Sequence, residues 1–89
     1  MDFEWDPEKA LANEEKHGVS FFEGCEVFDD ELSSSVRDPD HSRDEDRFLI
    51  FGMSKNRKYL VVSYTERGDR IRLISAREMT RQEQKAYEQ

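Results

Sequence analysis

Three strand-forming runs stand close together in the second half of the chain, and the shortness of what joins them constrains the fold more than any other feature. Arg47 to Met53, Lys58 to Thr65 and Arg70 to about Arg77 are each rich in β-branched, aromatic or aliphatic residues. Their connections, Ser54-Lys55-Asn56-Arg57 and Glu66-Arg67-Gly68-Asp69, are short and made of turn formers. A parallel crossover needs about a dozen residues, so these runs can pair only as an antiparallel meander.

The rest of the chain supplies what such a meander must pack against. Phe3-Glu4-Trp5 alternates apolar and charged residues and predicts a short strand. Asp6 can cap the free N–H groups of a helix that starts at Pro7 and runs to about His17, and Gly18 suits the left-handed residue that ends it. Ser20 and Glu23 have capping-box spacing, and Phe21, Phe22, Cys25, Val27 and Phe28 give a second helix with one apolar side. From Asp29 to Asp46 the chain is polar apart from Leu32, Val36 and Pro39, which predicts an edge strand near Leu32 to Arg37 and then a loop. Thr80-x-x-Glu83 is another capping box and opens a terminal helix that ends with Tyr87. The order β-α-α-β-β-β-β-α predicts an α+β fold with an antiparallel sheet, two N-terminal helices and one C-terminal helix. At 89 residues there is room for one core, so residues 1 to 89 form one domain.

Several classes of protein are excluded at this level. Cys25 is the only cysteine, so no disulfide can form within the chain; a reducing compartment follows, with Cys25 as a small buried apolar residue. The start, Met1-Asp2-Phe3-Glu4-Trp5-Asp6, is acidic where an export signal is basic, and no apolar run approaches the roughly 20 residues of a membrane-spanning helix. The expectation is a cytoplasmic protein that stays off the membrane.

The net charge of −7 argues against nucleic acid, but the charge is unevenly placed. Residues 1 to 46 carry sixteen acids and four bases, a net of −12, while residues 47 to 89 carry five acids and ten bases, a net of +5. The split fits a basic face for an anionic ligand and an acidic face for something else; it fits equally two halves that neutralise each other across the fold.

The basic half holds the candidates for chemistry. Arg70 and Arg72 are two apart on a strand and so share a face. Arg77 follows at the strand-helix boundary, and Arg47 and Arg67 sit at the ends of neighbouring strands. Fixed guanidinium groups suit a phosphodiester, whose charge grows in the transition state. The same alternation also describes an ordinary solvated sheet face. His17 closes the first helix at the negative pole of its dipole, where an imidazole can cap carbonyls or serve as general acid or base near neutral pH. His41, in the polar loop, reads as solvated.

The loop from Asp38 to Asp46 alternates acids as a calcium loop does, but Arg43 stands where glycine is required and Leu49 where a bidentate glutamate is required. No metal and no cofactor are predicted.

Taken together, Phe3-x-Trp5-Asp6, Asn13-x-x-Lys16-His17-Gly18-Val19-x-Phe21, Val27-Phe28, Arg47, Gly52-x-Ser54, Tyr64-Thr65-x-Arg67, Ile71-Arg72-Leu73-Ile74-Ser75-Ala76-Arg77 and Tyr87-Glu88 resemble the BrnT toxin family over nearly the whole chain. The resemblance implies a RelE-like fold, an endoribonuclease that arrests growth, and neutralisation by a BrnA-like antitoxin with a ribbon-helix-helix part. DNA would then be met only through that antitoxin. His17, Arg47, Arg67, Arg72, Ser75, Arg77 and Tyr87 match the family's motif positions; of these His17, Arg67, Arg72, Arg77 and Tyr87 are the catalytic candidates, and Arg47 and Ser75, with Arg70 from the strand pattern, are the substrate-binding candidates. The charge of −7 departs from what an RNA-cutting toxin implies. A non-catalytic chain that binds an antitoxin and tunes DNA binding by the pair is the alternative. In either case the antitoxin is expected to cover the strands around Arg47 to Arg77.

Overall fold

The chain folds as β1 (Asp2–Glu4), α1 (Pro7–His17), α2 (Phe21–Glu26), β2 (Ser34–Arg37), β3 (Arg47–Met53), β4 (Tyr59–Arg67), β5 (Arg70–Glu78) and α3 (Arg81–Tyr87), in a computed structural model that describes residues Met1 to Gln89. Short 3-10 turns lie at Val27–Asp29 and Pro39–His41. The meander is the one its connections require: β3 pairs antiparallel with β4 from Arg47 opposite Thr65 to Met53 opposite Tyr59, and β4 pairs antiparallel with β5. β2 adds an antiparallel edge to β3, which completes the sheet order β1-β5-β4-β3-β2.

The expectation of a wholly antiparallel sheet is corrected at one edge. β1 runs parallel to β5, with Asp2 opposite Arg70 and Glu4 opposite Arg72. Two helices separate β1 from β2, long enough for the chain to reach the far edge, so no tight turn dictates the direction of β1. The α+β class stands.

Local chemistry sets the helix ends as the sequence indicates. The Asp6 carboxylate accepts from the Glu8 N–H at 2.9 Å, and Gly18 ends α1 at φ +70°, its N–H donating to the Glu14 carbonyl. The Ser20 hydroxyl accepts from the Glu23 N–H at 3.0 Å. α2 is shorter than its apolar pattern suggests and tightens into the 3-10 turn after Glu26. The cause follows at Asp30, whose carboxylate accepts from the backbone N–H groups of Leu32 and Met53. That turn delays β2 to Ser34 instead of Leu32.

α1, α2 and the first 3-10 turn cover one face of the sheet. Val19, Phe21, Val27, Ile50, Leu60, Val62, Tyr64, Leu73 and Ala76 form the core there, with Phe3, Trp5, Ala10 and Phe28 packed against it. Close approach decides one position: a Cβ at Gly52 would lie 2.7 Å from the Val27 side chain, so the turn can sit on β3 only over a glycine.

Asn13 fixes α1 to the sheet. β1 covers only the first residues of β5, and beyond it the buried Asn13 carboxamide takes the place of a neighbouring strand. It accepts from the Ala76 N–H at 3.0 Å and donates to the carbonyls of Ala76 at 2.8 Å and Val19 at 3.0 Å. Cys25 is half-buried, less than the sequence suggests; burial, with Glu26 and Asp29 nearby, pushes its thiol up to about 11. It therefore stays a protonated, unreactive thiol. No helix is long and apolar enough to cross a membrane.

Candidate functional site

Directly opposed residues of neighbouring strands share a face, so the register identifies what the side of the sheet away from α1 and α2 presents. One row is Phe51, Val61 and Arg77; the next is Leu49, Ser63 and Ser75. A third is Arg47, Thr65 and Arg72 with Glu4 beyond it, and a fourth is Arg67 and Arg70 with Asp2 beyond. Arg47, Arg67, Arg70 and Arg72 therefore gather as a quartet at one end of this face, around the buried Thr65. Ser75 occupies the middle and Arg77 the other end.

Arg77 reaches this face only through an irregularity. Arg72 and Arg77 are five apart, and strict alternation would turn them to opposite sides. Ser63 pairs with Ser75 but Tyr64 pairs with Leu73, which leaves Ile74 without a partner as a β-bulge. The extra residue keeps Leu73 and Ala76 in the core while returning Ser75 and Arg77 to the side of Arg70 and Arg72.

α3 covers the Arg77 end. Glu83 binds the Arg77 guanidinium with both oxygens, at 2.8 and 3.1 Å, while closing the capping box with Thr80. The Arg77 hydrogen bonds hold the Glu83 carboxyl down at about 2 against the opposing effect of burial, and the pairing raises Arg77 above its ordinary value. Tyr87 packs edge-on against Tyr59 and donates its hydroxyl to Asp30. Burial and that hydrogen bond push the Tyr87 phenol up to about 12. The Tyr59 hydroxyl donates to Glu88, so α3 is tied down at both ends. A groove of about 440 Å³, lined by Leu32, Phe51, Glu83, Ala86 and Tyr87, runs between α3 and β2.

His17 is placed apart from these groups. It follows Asn13 by one helical turn, so it shares the side of α1 that meets β5, and it makes no side-chain hydrogen bond or ion pair.

Every arginine of the quartet is met by a carboxylate of its own chain. Glu4 lies 2.8 Å from Arg72 and 3.6 Å from Arg70. Glu45 lies 3.6 Å from both Arg47 and Arg67. Hydrogen bonding to Arg72, aided by its charge and by Arg70, holds the Glu4 carboxyl below its ordinary range. Arg47 differs from the others: its Nε is shielded from solvent and has no hydrogen-bond partner. The acidic and basic halves thus neutralise each other across the fold, and the basic residues nevertheless share one face.

Sequence reasoning singled out the arginines and missed what holds them. Glu83 was legible as a capping residue but not as the partner of Arg77, and Glu4 and Glu45 were two acids among many. Asp30, the anchor of Tyr87, carried no local signal at all.

The Arg77–Glu83 pair has a defined pH signature. The folded-state pKa of Glu83 is depressed from 4.5 to about 2, so its contribution is present above the unfolded value and is lost as pH falls through the folded one. The thermal midpoint of the wild type is expected to fall between about pH 5 and about pH 2 more steeply than that of Glu83→Gln. Parallel curves for the two proteins would show that the pair contributes nothing to stability.

The family model for BrnT, the ribonuclease toxin of a type II toxin-antitoxin system, matches residues 5–83. The crystal structure of the Brucella abortus ribonuclease toxin BrnT is similar with a TM-score of 0.69 and 26% sequence identity, over 91% of this chain and 99% of that one. No match is found among curated proteins.

Proposed function

From the premise that this chain belongs to the BrnT family of ribonuclease toxins of type II toxin-antitoxin systems, we propose that it cleaves RNA on the arginine-bearing face of its sheet, in the cytoplasm, without a metal ion. The observation that carries the reading is the placement of Arg47, Arg67, Arg70, Arg72 and Arg77 on the one side of the sheet that α1 and α2 leave uncovered. Such preorganised donors suit a phosphodiester that gains charge during reaction.

In this mechanism the RNA's own 2′-oxygen attacks the adjacent phosphorus, the bond from phosphorus to the 5′-oxygen breaks, and a 2′,3′-cyclic phosphate remains. Arg72, Arg77 and Arg67 stabilise the growing negative charge, while Arg47, Arg70 and Ser75 hold the strand. One proton leaves the 2′-hydroxyl and one reaches the 5′-oxygen. Of the two candidates to move them, Tyr87 lies on the helix at the Arg77 end of this face with its hydroxyl donated to Asp30, whereas His17 lies on α1, which covers the opposite face. A BrnA-like ribbon-helix-helix antitoxin covers the strands from Arg47 to Arg77 in the resting cell and carries the pair to DNA.

One observation favours a second reading: each arginine of this face already has a carboxylate partner, as in a chain kept for binding its antitoxin. Incubating the purified protein with single-stranded RNA in EDTA separates the two. Cyclic-phosphate ends are expected; cleavage that appears only with added metal removes the mechanism, and no cleavage in either condition supports the binding module.

A further inference from the structure

We propose that Glu4 and Glu45 are internal competitors for the phosphates of the substrate, so that the affinity of this chain for RNA is set by two of its own carboxylates. The inference rests on reading the arginine face as an RNA site, and it concerns what already occupies that site.

The geometry is symmetrical about Thr65. On one flank Glu4 bridges Arg70 and Arg72, and on the other Glu45 bridges Arg47 and Arg67. A carboxylate spanning two guanidinium groups fills the role that a phosphate would fill, since both offer oxygens to the same fork of donors. Four cations are thus matched by two anions, which leaves the quartet with a net charge of two when both flanks are closed.

The two flanks are not closed equally well. Glu4 forms a charge-assisted hydrogen bond at 2.8 Å to Arg72. Glu45 approaches no closer than 3.6 Å to either partner, and the Nε of Arg47 is left shielded and without an acceptor. A shielded donor without an acceptor is costly, and displacing Glu45, whose oxygen lies 3.6 Å from that Nε, would open it to a phosphate oxygen at hydrogen-bond distance. Glu45 is therefore the looser of the two competitors and the first to be displaced. It belongs to the segment between β2 and β3, whereas Glu4 is held in a strand.

Competition of this kind selects for a ligand that offers two phosphates at once. A single anion must displace a carboxylate and gains little, because an exposed pair exchanges one partner for an equivalent one. A strand with successive phosphates displaces both and satisfies Arg47 as well.

The test uses the full chain and a 2′-O-methyl RNA of about ten nucleotides, long enough to cross the face and blocked at the attacking oxygen. Binding is measured by anisotropy for the wild type, Glu4→Gln, Glu45→Gln, the double variant, and Asp44→Asn. Asp44 forms no ion pair with an arginine, and its replacement changes the net charge as much as either single glutamine variant. The double variant is expected to bind about tenfold more tightly, a range consistent with relieving two partly exposed pairs. Its salt dependence should steepen by about 0.7 in slope for each additional phosphate that the arginines neutralise. Asp44→Asn should stay near the wild type. Glu45→Gln lies outside the strands, so a folding defect at Glu4 would leave that arm readable.

If the wild type binds and neither glutamine variant binds more tightly, or if Asp44→Asn gains as much, the competition is overturned while the RNA reading stands. If none of the proteins binds the RNA, both fall together.

Discussion

Replacing Arg72 by alanine is expected to lower RNA cleavage about 10²- to 10³-fold, the loss that follows removal of one preorganised transition-state donor. Arg77→Ala should cost as much, and the two differ in what else they disturb. Arg72 is paired with Glu4 at a partly buried position, and Glu4 keeps Arg70 as a partner, so removing Arg72 should lower the unfolding temperature only modestly. Arg77 is bound through Glu83 into the capping box of α3, so its removal should also loosen that helix and lower the unfolding temperature. Lysine at either position should rescue little, because an ammonium cannot reproduce a planar two-point contact. Measuring product ends per unit time on soluble protein decides the matter: wild-type cleavage by both alanine variants would remove the arginines from the mechanism.

The second large effect is expected on stability, at a residue that is not itself a candidate for chemistry. Asn13→Ala removes three hydrogen bonds in one step and leaves the Ala76 N–H and the carbonyls of Ala76 and Val19 without their partner. Each buried group left unsatisfied costs about 1–3 kcal/mol, so the variant should lose about 3 kcal/mol or more. For a domain of this size that is a fall of roughly 12–24 °C in the unfolding temperature. Glu15→Ala, exposed on the same helix and without a side-chain partner, is the control and should shift it little. A fall of only a degree or two for Asn13→Ala would mean that water enters and satisfies the edge of β5.

The meander, the capped start and glycine end of α1, and the capping box of α3 rest on interactions within a few residues, and all were legible from spacing alone. The parallel pairing of β1 was not, because Phe3 and Ile71 meet across the length of the chain and nothing in Phe3-Glu4-Trp5 states a direction. Asn13 was legible as part of a family pattern but not as the group that stands in for a strand, since its partners are backbone atoms that no side-chain identity announces. For the site, alternation correctly grouped Arg70 with Arg72, and the short connections brought Arg47 and Arg67 beside them. Arg77 was placed by its position at the end of the strand, and the bulge that turns it outward is invisible to a count of alternating residues. The charge split gave two readings, and pairing of the two halves proved compatible with a shared arginine face.

That bulge has a consequence for how the chain can vary. A regular strand may trade side chains freely on its solvent face, and a loop may gain or lose residues. β5 has a loop's liberty at one point, Ile74, which has no partner on β4. Deleting that residue would leave Arg72 and Arg77 four apart, so the ladder with β4 would close with Leu73 and Ala76 still turned to the core and Ser75 and Arg77 still turned outward. The bulge is therefore where this strand can lose a residue and keep both its packed inner half and the arginine at its outer end.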